Sequence, residues 1–399
     1  MMLKKQNKTK IIFPHKGIFL TLFFTVFITV TGVGIVVPLL PVYAYKLGAT
    51  GFYVGMIFGA FSFSRTIFLP FFGRLSDKTG RKPFIIIGLS GYAFVAGSFI
   101  FFPSINSLII IRFFQGIASA MIMPVVQAYI GEITPPQKEG WTMGLFNMSM
   151  FASLSLGPFL GGIINDIWSM NTSFAFMGIS AVLGLILSIF FLPPVSKEFI
   201  KTHDRDPVSW FSIIKDRTLL ALFVFRFGYI FCIGVIWCFL PLFVDIQFSL
   251  SSTSTGVLLM IGILISGIFH LPMGYVADKF NKKIIVIIGG LLCILGMFML
   301  TFARSYNGLI VAVSVFGLGG GISMPAIMAL AVIKGNEKKA MASVMSIITL
   351  AHSSGMMIGS IVAGIAIDSF ELKFAFPCGI IIMIFTTIIF LFLKKNQDL

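Results

Sequence analysis

The sequence predicts an all-α membrane protein with twelve transmembrane helices in two pseudo-symmetric six-helix halves. Three observations carry this. Hydrophobic residues make up 57% of the 399-residue chain and charged residues 11%, where an ordinary globular protein has roughly 25% charged. Such a chain cannot cover itself in water and needs a bilayer as solvent. Apolar runs of about 20 residues recur along its whole length, each able to cross a hydrocarbon core roughly 30 Å thick as a helix. Finally, features of the first half return in the second at an offset of about 200 residues.

Helices are expected for these runs because a single helix satisfies its own backbone in lipid. The runs fall at 17–42, 51–73, 83–102, 106–131, 142–164, 172–193, 217–244, 252–274, 283–302, 307–333, 341–367 and 373–393. The first is too long, and too interrupted by Gly and Pro, for a cleavable signal peptide. Pro38, Pro41, Pro124, Pro241 and Pro325 bend or break spans and are candidate hinges.

The net charge of +15 is explained by its placement. Lys4, Lys5, Lys8, Lys10 and Lys16 lie before the first span. Every second loop after it is basic: Arg74/Lys78/Arg81/Lys82, Lys138, Lys197 through Arg217, Lys279/Lys282/Lys283 and Lys334/Lys338/Lys339. The alternate loops hold only Lys46, Arg304 and Lys373. The positive-inside rule then puts both termini and the central loop in the cytoplasm, in a cell inner membrane. With no continuous basic face and no nucleic-acid motif, the charge does not point to nucleic acid.

The repeat is an ordered series. Leu40-Pro41 returns as Leu240-Pro241, Gly73/Asp77/Lys78 as Gly274/Asp278/Lys279, Pro124 as Pro325, and Gly157/Gly162/Asp166 as Gly359/Gly364/Asp368. The expected organisation is a cytoplasmic tail (1–16), a six-helix half (17–195), a polar cytoplasmic linker (196–216), a second half (217–393) and a short cytoplasmic tail (394–399). Two repeats with a site between them near the midplane are the design of alternating-access carriers.

The segment after the second span reads Gly73-Arg74-Leu75-Ser76-Asp77-Lys78-Thr79-Gly80-Arg81-Lys82-Pro83. It resembles the first signature of the major facilitator superfamily, with a worn copy from Gly274 to Lys283 that keeps Asp278. Physically, Gly73 permits close helix approach, Gly80 a tight turn, and Asp77 can pair with nearby cations or face a helix N-terminus. The resemblance implies a conformational latch made of Gly73, Asp77, Gly80, Arg81 and Asp278 that does not bind substrate. The fourth span, from Leu108 through Arg112-Phe113-Phe114-Gln115-Gly116 to Ala120, is similar to the second signature, whose arginine is implicated in proton coupling. In the fifth span, Gly144, Ser153 and Gly157-Pro158-Phe159-Leu160-Gly161-Gly162 resemble the third signature, associated with antiporters that export drugs and metabolites. Ser153 stands where glycine is usual, and being small it still permits close packing. The second half has Ser360 in place of the proline. The resemblance covers the whole chain and implies the major facilitator fold, resembling the 12-helix drug/metabolite:proton antiporter group.

Charge inside a span is a functional hypothesis because an isolated charge there is expensive. Arg65, Arg112 and Arg226 qualify. At about 1.5 Å per residue, Arg65 and Arg226 lie roughly 12–14 Å in from the basic side. Arg112 lies closer to the other end, where it could snorkel; Arg65 could also cap carbonyls between helices. By analogy with the fold, the first, fourth, seventh and tenth helices line the cavity. The expected substrate contacts are Arg226, Arg65, Arg112, Gln115, Trp237 and Tyr229, with Gln127 and Tyr129 as further polar groups. Three cations without an intramembrane anion would attract a carboxylate or phosphate. Arginine does not release a proton at ordinary pH, so Glu132, Asp166 and His352 join Arg112 as proton-coupling candidates.

The expected function is secondary active transport, with proton-coupled efflux of a small amphiphilic organic compound, an anion among the candidates, ahead of import or symport of an organic anion such as a carboxylate or siderophore. A membrane sensor or scaffold is the non-transport alternative. No enzyme is expected, since the four histidines are scattered and Gly317-Leu318-Gly319-Gly320-Gly321 lacks a P-loop lysine. Cys232, Cys238, Cys293 and Cys378 read as small buried hydrophobes rather than metal ligands or disulfides. The expected partners are a small-molecule substrate, a proton and the lipid bilayer; no cofactor, metal or nucleic acid is expected, and carriers of this family usually work as monomers.

Overall fold

A computed structural model describes residues 16–134, 139–193, 216–338 and 341–393. Lys4, Lys5, Lys8, Lys10, Lys138, Lys339, both tails and nearly all of the polar linker lie outside the described residues. Within them, twelve spans are long and apolar enough to cross a membrane, and no strand occurs. The chain is a multi-pass membrane protein.

The first span is two helices, Lys16–Val36 and Leu40–Lys46. The second to sixth are Gly51–Thr79, Arg81–Phe101, Ile105–Ile133, Glu139–Ile167 and Met170–Phe191. The seventh to eleventh are Arg217–Phe248, Ser252–Lys279, Lys282–Phe302, Tyr306–Glu337 and Met341–Ser369. A 3-10 turn, Leu372–Phe374, leads into the twelfth, Ala375–Leu393. Two prolines explain the break in the first span: Pro38 lies in the gap and Pro41 falls in the first turn of the restarted helix, where its missing N–H is harmless. Pro241, the repeat partner of Pro41, stays inside one continuous helix.

Several spans outrun their apolar stretches. The second continues as a helix through Gly73–Thr79 and stops only at Gly80, whose φ of +99° needs a glycine. The expected loop is therefore a one-residue turn between two helices. Serines cap the starts of the fourth, sixth, eighth and tenth spans: Ser104, Ser169, Ser251 and Ser305 each accept from the backbone N–H three residues on.

The packing repeats as the sequence does. In the first half, span one packs on five and six, two on four, and three on four and six. In the second half, seven packs on eleven and twelve, eight on ten, and nine on ten and twelve. Across the halves, two meets eleven and five meets eight. Exposed Phe94, Phe101, Phe190, Leu271 and Phe392 belong to the lipid-facing surface. Cys232, Cys238 and Cys293 are buried and free, and Cys378 is half-buried and free.

Asp216 illustrates a cap at the basic end. Its Oδ1 accepts from Thr218 N at 2.9 Å and Leu219 N at 3.1 Å, and Lys338 Nζ lies 2.8 Å from Oδ2. Burial alone would raise this carboxyl; Lys338 and the backbone donor of Leu219 hold it below the usual carboxylate range. A lowered folded pKa means the stabilisation is complete above the unfolded value of about 3.9 and is lost as pH falls through the folded value. Asp216→Ala should therefore lower stability by about 1 kcal/mol at pH 7. In detergent melting curves the difference from the parent should shrink below about pH 4.

Candidate functional site

The three expected arginines are all drawn inward, each by a different environment. Arg112 is only 4% exposed, so it does not snorkel. Its Nε donates to Ile57 O at 3.3 Å and its Nη1 to Gln115 Oε1 at 2.7 Å. Its guanidinium lies over the rings of Phe58 and Phe61, 5.0 and 4.5 Å from their centroids, as a cation–π contact. Gly116 makes this possible: a Cβ there would lie 2.0 Å from Ser64 Oγ and 2.3 Å from Phe61 O, so the second and fourth spans meet at backbone distance.

Arg226 is half-buried in the seventh span. Its Nη1 lies 2.7 Å from Met324 Sδ and its Nη2 3.3 Å from His352 Nδ1. A guanidinium only donates, so Nδ1 is the accepting nitrogen of His352 in this contact. The Nε atoms of Arg226 and Arg65 are both buried without a hydrogen-bond partner. Arg65 therefore does not cap a carbonyl through Nε. Arg226 and Arg65, from opposite halves, are both within electrostatic reach of His352. Among the described residues no carboxylate forms an ion pair with Arg65, Arg112 or Arg226.

The other expected contacts separate. Gln115 is 1% exposed and spent on Arg112 and Met177. Tyr229 is buried against Gly320 and stacked on Phe316. Trp237 is half-buried against the main core. Gln127 is exposed, and the Tyr129 hydroxyl donates to Pro193 O at 2.8 Å. Three residues near the arginines carried no signal that singled them out: Met324, His270, which lies within electrostatic reach of Arg226, and Tyr92, which lies within electrostatic reach of Arg65 and Arg112. A hollow of about 370 Å³ between the third and sixth spans is wholly apolar and away from the arginines.

The proton-coupling candidates also lie apart. Glu132 Oε1 accepts from Arg81 Nε at 3.0 Å and Nη2 at 2.8 Å, and its Oε2 is buried without a partner. Arg81 also bonds Ser76 Oγ at 2.7 Å and pairs with Asp77. This cluster lies within the first half at the basic end. Asp278, the repeat partner of Asp77, is exposed. A Cβ at Gly73 would meet nothing within 4 Å, nor would one at Gly274, so neither glycine makes a close crossing here.

The opposite, charge-poor end is closed. Here the third-signature residues divide between two neighbours. A Cβ on Gly157 would fall 2.7 Å from Gly34 Cα, and one on Gly161 2.2 Å from Ile35 O, both in the first span. A Cβ on Gly162 would instead collide with Ser252 O, and one on Gly256 with Pro158 O, both across the halves. Asp166 bonds the start of the eighth span. Every cross-half hydrogen bond among the described residues lies toward this end.

Two six-helix repeats, a polar cluster between them and closure at one end define a membrane carrier rather than an enzyme. The profile of the Major Facilitator Superfamily matches residues 22–339 and 222–398, and the chain belongs to that family. An uncharacterized MFS-type transporter of Methanocaldococcus jannaschii is 29% identical over 89% of this chain and 92% of its own length. The quinolone resistance protein NorA of Staphylococcus aureus is 26% identical over 89% and 90%. Among solved structures, the nucleoside transporter NupG shares the fold with a TM-score of 0.82, 13% identity and coverage of 95% of this chain and 100% of that one. The human organic anion transporter TETRAN does so with a TM-score of 0.67, 16% identity and coverage of 94% and 99%.

Proposed function

We propose that this transporter is a secondary active exporter that works by alternating access and carries a small amphiphilic organic anion out of the cell against a proton gradient. The observation that carries the reading is the set of three inward arginines with no acidic partner, two of them with a buried, unbonded Nε. A bound carboxylate or phosphate would supply the missing acceptors, and the apolar surroundings would hold an amphiphilic body. Efflux is supported by the third-signature residues at the five–eight crossing and by the likeness to a quinolone resistance protein. The positive-inside rule assigns the basic end to the cytoplasm, and an exporter shut at the opposite end loads from there. An organic anion is also what TETRAN is named for, at the level of fold alone.

A second reading, symport of an organic anion such as a carboxylate or siderophore, is favoured by one contact. Arg226 Nη2 occupies the accepting Nδ1 of His352, so a proton can take that nitrogen only once Arg226 turns away. An anion that draws Arg226 off would let anion and proton load together.

Purified protein in liposomes under an imposed pH gradient tests both, with proton movement recorded as a panel of organic anions and lipophilic cations is added. Protons moving opposite to an anion support the exporter. Protons moving with it support symport. A response to cations alone discards the arginine site, and binding without any flux marks a sensor or scaffold.

A further inference from the structure

We infer that Asp166 and Asp368 are a matched pair of locks that hold the charge-poor end shut, each carboxylate closing on the first turn of a helix in the opposite half. Asp368, at the end of the eleventh span, accepts from Gly51 N at 2.6 Å through Oδ1 and from Phe52 N at 2.8 Å through Oδ2. Asp166, at the end of the fifth, accepts from Ser252 N at 3.0 Å through Oδ1 and from Thr253 N at 2.8 Å through Oδ2. Thr253 Oγ1 adds a third bond at 2.6 Å, and the neighbouring Asn165 Nδ2 donates to Ser252 Oγ at 2.9 Å. The two grips are copies related by the internal repeat, and each joins one half to the other.

The chemistry suits a lock that must also open. The first N–H groups of a helix have no intrahelical acceptor, and the helix dipole favours negative charge there. In the second span the opposite half supplies what the local sequence does not: Thr50, in the N-cap position, makes no side-chain capping bond. The eighth span does have its own cap, Ser251 to Ser254 N, so Asp166 takes the two N–H groups ahead of it. Parting the halves at this end exposes both carboxylates and four N–H groups to water, which satisfies them in turn. The polar exchange is reversible, whereas an apolar seam there would have to be wetted.

At the basic end no described hydrogen bond or ion pair joins the halves. Arg81, Asp77 and Glu132 bond among themselves within the first half, and Lys338 with Asp216 within the second. Among the described residues, the two carboxylates carry five hydrogen bonds that hold the charge-poor end shut. The inference concerns the resting state alone and needs no assumption about substrate.

Spin labels at Asn106 and Asn307, exposed residues in the first turns of the fourth and tenth spans at the charge-poor end, would report the gap between the halves. Without substrate, the parent should show one short distance. Asp166→Asn and Asp368→Asn should each raise the ratio of long to short distances about tenfold, and the double variant about a hundredfold. A double variant whose distances superimpose on the parent's overturns the inference. If the double variant does not fold, Thr253→Val, which removes one bond of the five, carries the test. A long-distance population above the parent's supports the locks, and none overturns them.

Discussion

If the proposed anion site is right, Arg226→Met should cut anion transport by about 30-fold or more while leaving the protein as stable as the parent, or more so. Arg226 sits half-buried with Nε unbonded, a thioether at Nη1 and a histidine nitrogen at Nη2. None of these offsets the removal of a full charge from water, so the side chain is a burden on the fold when no anion is bound. A methionine of similar reach should relieve about 1 kcal/mol or leave stability unchanged. Losing one member of a buried charge pair with the anion should weaken transport by about 30-fold or more, the equivalent of about 2 kcal/mol. Arg226→Lys keeps the charge but not the two-pronged geometry and should fall between. Melting in detergent and flux in liposomes, measured on the same preparations, decide the matter. Parental anion flux removes Arg226 from the site, and a large loss of stability makes it a structural residue held by Met324 and His352.

Gly161→Val should be the most damaging single change to the fold. A Cβ at Gly161 would stand 2.2 Å from Ile35 O and 2.8 Å from Ile35 Cα, and these are backbone atoms inside the same half. No rotamer change relieves such a contact, so the fifth span must move away from the first. About 3 kcal/mol or more is expected, seen as low yield and a lowered melting temperature. Gly162 is adjacent, but a Cβ there would meet Ser252 O across the halves. Gly162→Val should therefore leave each half intact and instead favour separation at the charge-poor end. Gly73→Val, in open space, should melt like the parent. If Gly161→Val also melted like the parent, the close crossing of the first and fifth spans would be disproved.

The twelve spans could be read from the sequence because the bilayer leaves a backbone only one single-segment solution, and length and hydropathy reveal it. The ends of the spans were harder. Residues 74–79 look like a loop because their side chains are polar, but water serves those side chains while the backbone stays helical up to Gly80. The arginines stood out because a charge is rare at such depth. Their partners did not, since Arg226 and His352 meet across 126 residues and Arg81 and Glu132 across 51. Arg112 shows how counting residues along a helix fails: it lies near the start of its span, yet Phe58 and Phe61 of another span cover it. Asp166 and Asp368 were visible as a repeat, whereas the helix starts they grip follow only from packing.

The crossings between the halves are built from main chain more than from side chains. Gly51 meets Gly364, Gly55 meets Ser360, Gly162 meets Ser252 and Gly256 meets Pro158. Such surfaces have almost no rotamers to freeze when they come together and none to free when they separate. They also have no interdigitated knobs that must climb over one another as the halves rock. A seam of this kind should slide with little side-chain rearrangement.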